Sequence, residues 1–253
     1  MTTLSKRTKC CAICKMRAEY GYITSTNEFG SRDLDLRPAE LYRSTIGLWV
    51  EECPHCGYVA NDISKEAPVS LDQLKAIQRK LETVTKYFIS PLAGTFLLHY
   101  VLLKKQNNPR AFFAIRNGAW VCDDAYDEDN ASKFRELALF YLKKEYKNVA
   151  QFYDKNWLEL VRADFLRRTG RFSDVIRNYK GVAITDEELN KLFRYEVYLA
   201  EREDMAAHTC DEALEKRRRS EESAHRKKEP HRFDDLLDVL KEQLFPSWDE
   251  DEE

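Results

Sequence analysis

Apolar residues recur at three- and four-residue steps from residue 69 onward, and almost nowhere before it. Leu74, Ile77, Leu81, Val84 and Phe88 put one apolar stripe on a helix. Ser70-Leu71-Asp72-Gln73 ahead of it has the spacing of a capping box, with Val69 and Leu74 as a hydrophobic staple. Ser90-Pro91 opens a second helix and Asn108-Pro109 a third, which carries Phe112, Ile115, Ala119 and Cys122. A fourth starts at Asp127-Glu128-Asp129-Asn130 with Phe134, Leu137, Ala138, Tyr141 and Leu142 on one face. The fifth runs through Trp157, Leu158, Val161 and Phe165 to Gly170, and the sixth through Phe172, Val175, Ile176 and Tyr179 to Gly181. Thr185 and Glu188 form the capping box of a seventh, with Ile184 and Leu189 as staple, and Met205 to Leu214 reads as an eighth. Such stripes are covered only by one another, so the pattern predicts an α-helical array. Leu166 with Leu199 and Phe172 with Met205 repeat at 33 residues, near the tetratricopeptide period, although His208 stands where a small residue is wanted.

Residues 1–62 follow different rules. Tyr20-Gly21-Tyr22-Ile23-Thr24 reads as a strand, and Ile46, Leu48 and Val50 alternate with polar or small neighbours as a second strand running into Cys53. The chain therefore divides into a β unit over 1–62, a helical part over 68–215 and a tail over 216–253. In the tail, Lys216 to Lys228 carries a net +5 and Asp234 to Glu253 a net −8. Phe233, Leu236, Leu237, Leu240 and Leu244 make an amphipathic stripe there, expected to pack on a groove of this chain or of a partner.

Cysteine spacing adds the chemistry. Cys11-Ala12-Ile13-Cys14 and Cys53-Pro54-His55-Cys56 are two Cys-x-x-Cys pairs, and together they supply the four thiolates of a closed tetrahedral zinc site. Knuckle, strand, connection, strand, knuckle is the order of a zinc ribbon. The predicted ligands of Zn²⁺ are Cys11, Cys14, Cys53 and Cys56; Cys10 stands beside Cys11 and is the alternative to it. Cys122 and Cys210 fall inside helical patterns and read as small buried residues. Seven cysteines in this arrangement argue against a secreted disulfide framework. Met1 to Lys9 is polar and basic, unlike a signal peptide, and the longest apolar run, Leu92 to Leu103, is too short to cross a membrane. The expectation is a cytoplasmic protein with no membrane contact.

The segment from Asp33 through Arg37-Pro38, Tyr42-Arg43-Ser44-Thr45 and Trp49 into Cys53-Pro54-His55-Cys56-Gly57-Tyr58 resembles a widespread bacterial family of unknown function. In that family a four-cysteine zinc-ribbon-like segment precedes tetratricopeptide-like helices. The resemblance covers about the first 60 residues and implies the four-cysteine site and the helical array, but no activity. Ala12 departs from it, standing where proline is common.

No Gly-rich phosphate loop, nucleophile motif or histidine–carboxylate metal spacing is present, and Asp33 with Asp35 lacks a base to complete a catalytic set. Those aspartates read instead as part of a salt-bridged loop. A net charge of −3 gives no global case for nucleic acid. Lys6, Arg7, Lys9, Lys15 and Arg17 around the first knuckle are expected to offset the site's negative charge. The reading favoured is a non-enzymatic, zinc-containing protein-interaction module. Nucleic-acid binding through the ribbon and thiol-redox or metal-dependent catalysis are the alternatives.

Overall fold

The computed structural model describes residues 1–152 and 154–214. The charged tail and its Phe233–Leu244 stripe lie outside the described residues.

Capping residues start most of the helices where the sequence places them. Ser70 Oγ accepts from Gln73 N while Gln73 Oε1 accepts from Ser70 N, so the capping box closes both ways at the start of α1 (Leu71–Thr85). Pro91 is the first residue of α2 (Pro91–Lys105), a helix apolar nearly all round and buried from Phe96 to Leu103. The Asn108 side chain accepts from Arg110 N just ahead of α3 (Ala111–Asp124). Asp127 caps α4 (Glu128–Val149) and Asp154 caps α5 (Lys155–Arg168). α6 (Phe172–Tyr179) follows Gly170, whose φ of +74° belongs to the left-handed region, and α7 is Glu187–Ala200. Each of these helices packs on its successor, and α5 also packs on α7. The tightest approach is α3 on α4. A methyl group built on Gly118 would lie 2.3 Å from the Phe134 ring.

Two helix starts differ from the sequence reading. Asp186, not Thr185, caps α7, accepting from Glu188 N and Leu189 N at 2.9 and 3.1 Å. A carboxylate at that position satisfies the same donors as a hydroxyl and adds charge at the positive end of the helix dipole. The helix expected over Met205–Leu214 shrinks to α8 (Cys210–Leu214). Asp204 Oδ1 instead accepts from Ala206 N, and residues 208–210 pair by main chain with the N-terminal loop, which a helix would forbid.

The N-terminal part is built of short antiparallel pairs. β1 (Thr3–Cys10) pairs with β2 (Arg17–Ser25), which contains the expected Tyr20–Thr24 strand; β1 itself had no clear signal. β3 (Glu28–Phe29) pairs with β4 (Glu40–Leu41), and β5 (Glu51–Glu52) with β6 (Val59–Ala60). The strand expected over Ile46–Val50 is a correction: Arg43–Leu48 is a 3-10 helix. Thr45 Oγ1 donates to Tyr42 O at 2.7 Å and accepts from Trp49 Nε1 at 2.8 Å, and these local bonds compete with a ladder. Ile46 and Val50, the two buried apolar residues of the run, are four apart.

The loop between β3 and β4 lies against the array. Leu34 is fully buried, and Asp35 accepts from Trp120 Nε1 at 2.7 Å and faces Arg168 at 3.5 Å. Asp33 pairs with Arg43 at 2.6 Å and Arg37 with Asp124. The Asp33–Asp35 stretch is thus a salt-bridged loop against the helices. Cys122 is fully buried, and burial raises its thiol pKa.

Candidate metal centre

Each Cys-x-x-Cys pair sits at the turn of a hairpin, and the two turns are built alike. In the first, between β1 and β2, Cys11 N donates to Met16 O at 2.9 Å and Lys15 N to Cys11 O at 3.0 Å. In the second, between β5 and β6, Cys53 N donates to Tyr58 O at 2.8 Å and Gly57 N to Cys53 O at 2.8 Å. The residue after the second cysteine must turn left-handed in both: Lys15 has φ +61° and Gly57 φ +69°. The repeated geometry follows from the two-residue spacer, which leaves one tight turn to aim both sulfurs the same way.

The turns bring their sulfurs together. Cys11 Sγ lies 3.7 Å from Cys56 Sγ, Cys14 Sγ lies 3.6 Å from Cys53 Sγ, and all four atoms fall within 4.8 Å of one another. Sulfurs at about 2.3 Å from a tetrahedral zinc ion stand roughly 3.8 Å apart, so these separations suit a shared metal and exceed the ~2.0 Å of a disulfide. Cys11, Cys53 and Cys56 are buried and Cys14 is half-buried. Cys10 is outside the cluster, exposed, with its thiol donating to Lys15 O at 3.1 Å.

Burial opposes every charge here, and main-chain donors decide which thiol yields first. For Cys53 the N–H groups of Cys56 and His55 and the neighbouring thiols outweigh burial and bring the group down to about 7. Burial, with Cys53 and Cys11 nearby, pushes Cys56 up to about 12, and burial also raises Cys11. Four such groups ionise together only when a cation compensates them. Tyr20 fits this account. Its hydroxyl is buried with no conventional partner among the described residues and faces Cys53, and burial followed by the Cys53 charge raises its pKa. It stays a neutral O–H.

Braces absent from the sequence reading join the two turns. The Lys9 side chain, 8% exposed, reaches Glu51 at 2.7 and 2.8 Å and Asp62 at 2.7 Å. Glu51 Oε2 also accepts from Ile63 N, and Ile63 O accepts from Ala12 N inside the first turn. The Lys9 ammonium, helped by Ser64, holds the Asp62 carboxyl well below its usual range. Of the cations read as offsetting the site, Lys9 is therefore taken by carboxylates, Arg7 faces Glu51, Lys6 faces Glu19 and Lys15 reaches Ala12 O. From α1, Gln78 Nε2 donates to Cys56 O at 3.1 Å and Gly57 O at 3.0 Å, tying the second turn to the array. Its amphipathic position gave no hint of this, because its partner is 21 residues away.

Between α1, α2 and the second turn lies a cleft of about 690 Å³, lined among others by Lys75, Arg79, Glu82, Phe88 and Leu98. No helix among the described residues is long and apolar enough to cross a membrane. Compared with protein-family models, with curated proteins and with solved structures, the chain matches none, so its reading rests on the geometry of the four-cysteine cluster.

Proposed function

We propose that Cys11, Cys14, Cys53 and Cys56 hold one zinc ion in a structural role, and that the helical array is a scaffold for a protein partner. The arrangement of the cluster carries the first half: four sulfur donors, three of them buried, leave no position for substrate or water. Catalytic zinc keeps such a position open. In this reading the ion ties the two turns together and is not a reagent. It also agrees with the family that the motifs resemble, in a cytoplasmic setting.

The scaffold half is supported by the helical array and by the cleft beside α1, whose apolar floor and charged rim suit a peptide segment. The nucleic-acid alternative draws less support, because four of the five cations around the first knuckle, Lys6, Arg7, Lys9 and Lys15, already face carboxylates or carbonyls.

Metal analysis of the purified chain tests the site. One zinc per chain, lost in Cys14→Ser and kept in Cys10→Ser, is expected; iron with visible absorption, or no metal, overturns the assignment. Affinity capture with the full chain and with Arg79→Glu tests the scaffold. A protein retained by the first and lost by the second supports the cleft as its seat, and equal capture counts against it.

A further inference from the structure

The segment after α7 is clasped to the N-terminal loop. Leu34 N donates to His208 O at 2.9 Å, Cys210 N to Arg32 O at 2.8 Å and Asp211 N to Ser31 Oγ at 2.9 Å. Asp33 and Thr209 face each other as an antiparallel bridge. From beneath, Arg167 of α5 donates to the carbonyls of Asp204 and Ala206, both at 2.8 Å. Every one of these bonds requires residues 204–211 to keep their irregular path.

His208 sits in the middle of that path between two carboxylates. Its Nδ1 is 2.6 Å from Glu212 Oε2 and its Nε2 is 3.1 Å from Asp204 Oδ2. A neutral imidazole has one N–H and one lone pair, so in that form one nitrogen points a lone pair at a carboxylate. Both contacts are attractive only in the imidazolium.

We infer that His208 is a proton-operated fastener: protonated, it bridges Asp204 to Glu212 and holds the clasp on residues 31–34, and deprotonated it releases one carboxylate and loosens the clasp. The surrounding groups agree. Tyr195 of α7 lies edge-on to the imidazole, its hydroxyl 3.5 Å from Nδ1. The loop's own Asp33 is occupied by Arg43. Burial and the Arg167 charge pull the His208 pKa down, but its bonds to Asp204 and Glu212 outweigh them and hold it above the usual value. The same bond to His208 keeps Asp204 down at about 2, so that partner stays ionised. Because the folded value is raised, the fastening is complete below the ordinary histidine range near 6.5 and is lost as pH rises through the folded value.

Proton NMR of the full chain tests this, with the His208 ring signal assigned by its loss in His208→Gln. Expected are a His208 midpoint above 6.5 and protection factors for the Leu34 and Cys210 amides, corrected for intrinsic exchange, that fall along the same curve. In His208→Gln those factors should be low and flat with pH. Glu212→Gln alters a part-exposed side chain and keeps the fold, and it should lower the His208 midpoint. A wild-type midpoint at or below 6.5, protection that does not follow it, or a midpoint unmoved by Glu212→Gln overturns the inference.

Discussion

Gly57 is the most exacting position of the second knuckle, and Gly57→Ala should show it. Its φ of +69° costs an L-residue about 1–2 kcal/mol. A methyl group there would also lie 2.4 Å from Gln78 Nε2, so the amide must withdraw. Withdrawal forfeits its bonds to Cys56 O and Gly57 O, each contributing about 0.5–1.5 kcal/mol. Together these give roughly 2–5 kcal/mol, concentrated in the turn that presents Cys53 and Cys56. If the metal-bound state bears all of it, zinc affinity falls by roughly 30-fold to several thousandfold. Competition with a chelator of known affinity reads this directly, and urea denaturation of the loaded protein gives the matching loss of stability. Lys15 supplies the control, since it holds the same left-handed position in the first knuckle at φ +61° with a side chain that must tolerate it. Lys15→Gly should therefore leave zinc affinity unchanged or raise it. Wild-type affinity and stability in Gly57→Ala would refute the reasoning, and so would equal losses in the two variants.

Other consequences follow from the same contacts. Lys9→Met takes the cation from Asp62 and leaves the buried Glu51 only the Arg7 contact at 3.4 Å, and should cost about 3 kcal/mol in thermal or urea unfolding. Zinc removal should abolish the order of the knuckles while far-UV circular dichroism keeps most of its helical signal, because the α2–α5 core makes its own contacts; loss of that signal would make the metal a keystone of the array. Asp164 and Glu196 are both buried against the single guanidinium of Arg167, at 2.7 Å each, so two negative charges face one positive. Burial raises both carboxyls, so the pair keeps a shared proton, and Glu196 is pushed up to about 8. Its folded value lies above the unfolded one, so this contribution to stability is full below about 4.3 and is lost as pH rises through 8. Glu196→Gln should flatten that decline in urea midpoints between pH 5 and 9, and an unchanged slope would reject the shared proton.

What was legible in the sequence was local. A capping box, a proline at the start of a helix and a Cys-x-x-Cys turn are decided by residues within about five positions; Ser70 and Pro91 act as their spacing implies, and the two cysteine turns bring their sulfurs together. The strand assigned to Ile46–Val50 failed for the opposite reason. Two buried residues four apart satisfy a helical turn as well as an alternation, and the Thr45 hydroxyl decided between them. Lys9 looked like a counter-charge for the thiolates because its carboxylates, Glu51 and Asp62, lie 42 and 53 residues away. The Asp35–Trp120 bond spans 85 residues and Arg167–Glu196 spans 29. Pairings of that kind leave no periodic trace.

Those long-range bonds also say what the four cysteines accomplish for the rest of the chain. Cys14 and Cys53 bound a connection whose middle, Leu34 to Arg37, is planted against α3 and α5 by Trp120, Asp124 and Arg168. Beyond β2 the connection has little regular structure of its own, only the two-residue strands β3, β4 and β5 and one 3-10 helix. Its order must come from its ends and from that planted middle. Closing a loop of about 40 residues with a cross-link removes on the order of 4 kcal/mol of chain entropy from the unfolded state, and a metal shared by both knuckles is such a cross-link. Gln78 and Thr95 then fix the closed end to α1 and α2, the latter through Glu52 at 2.7 Å. The metal centre and the helices are thus joined twice, once beside the knuckles and once through the loop. If the four cysteines hold the proposed ion, its loss would free the knuckle end of this loop and, through the planted middle, strain the second joint as well.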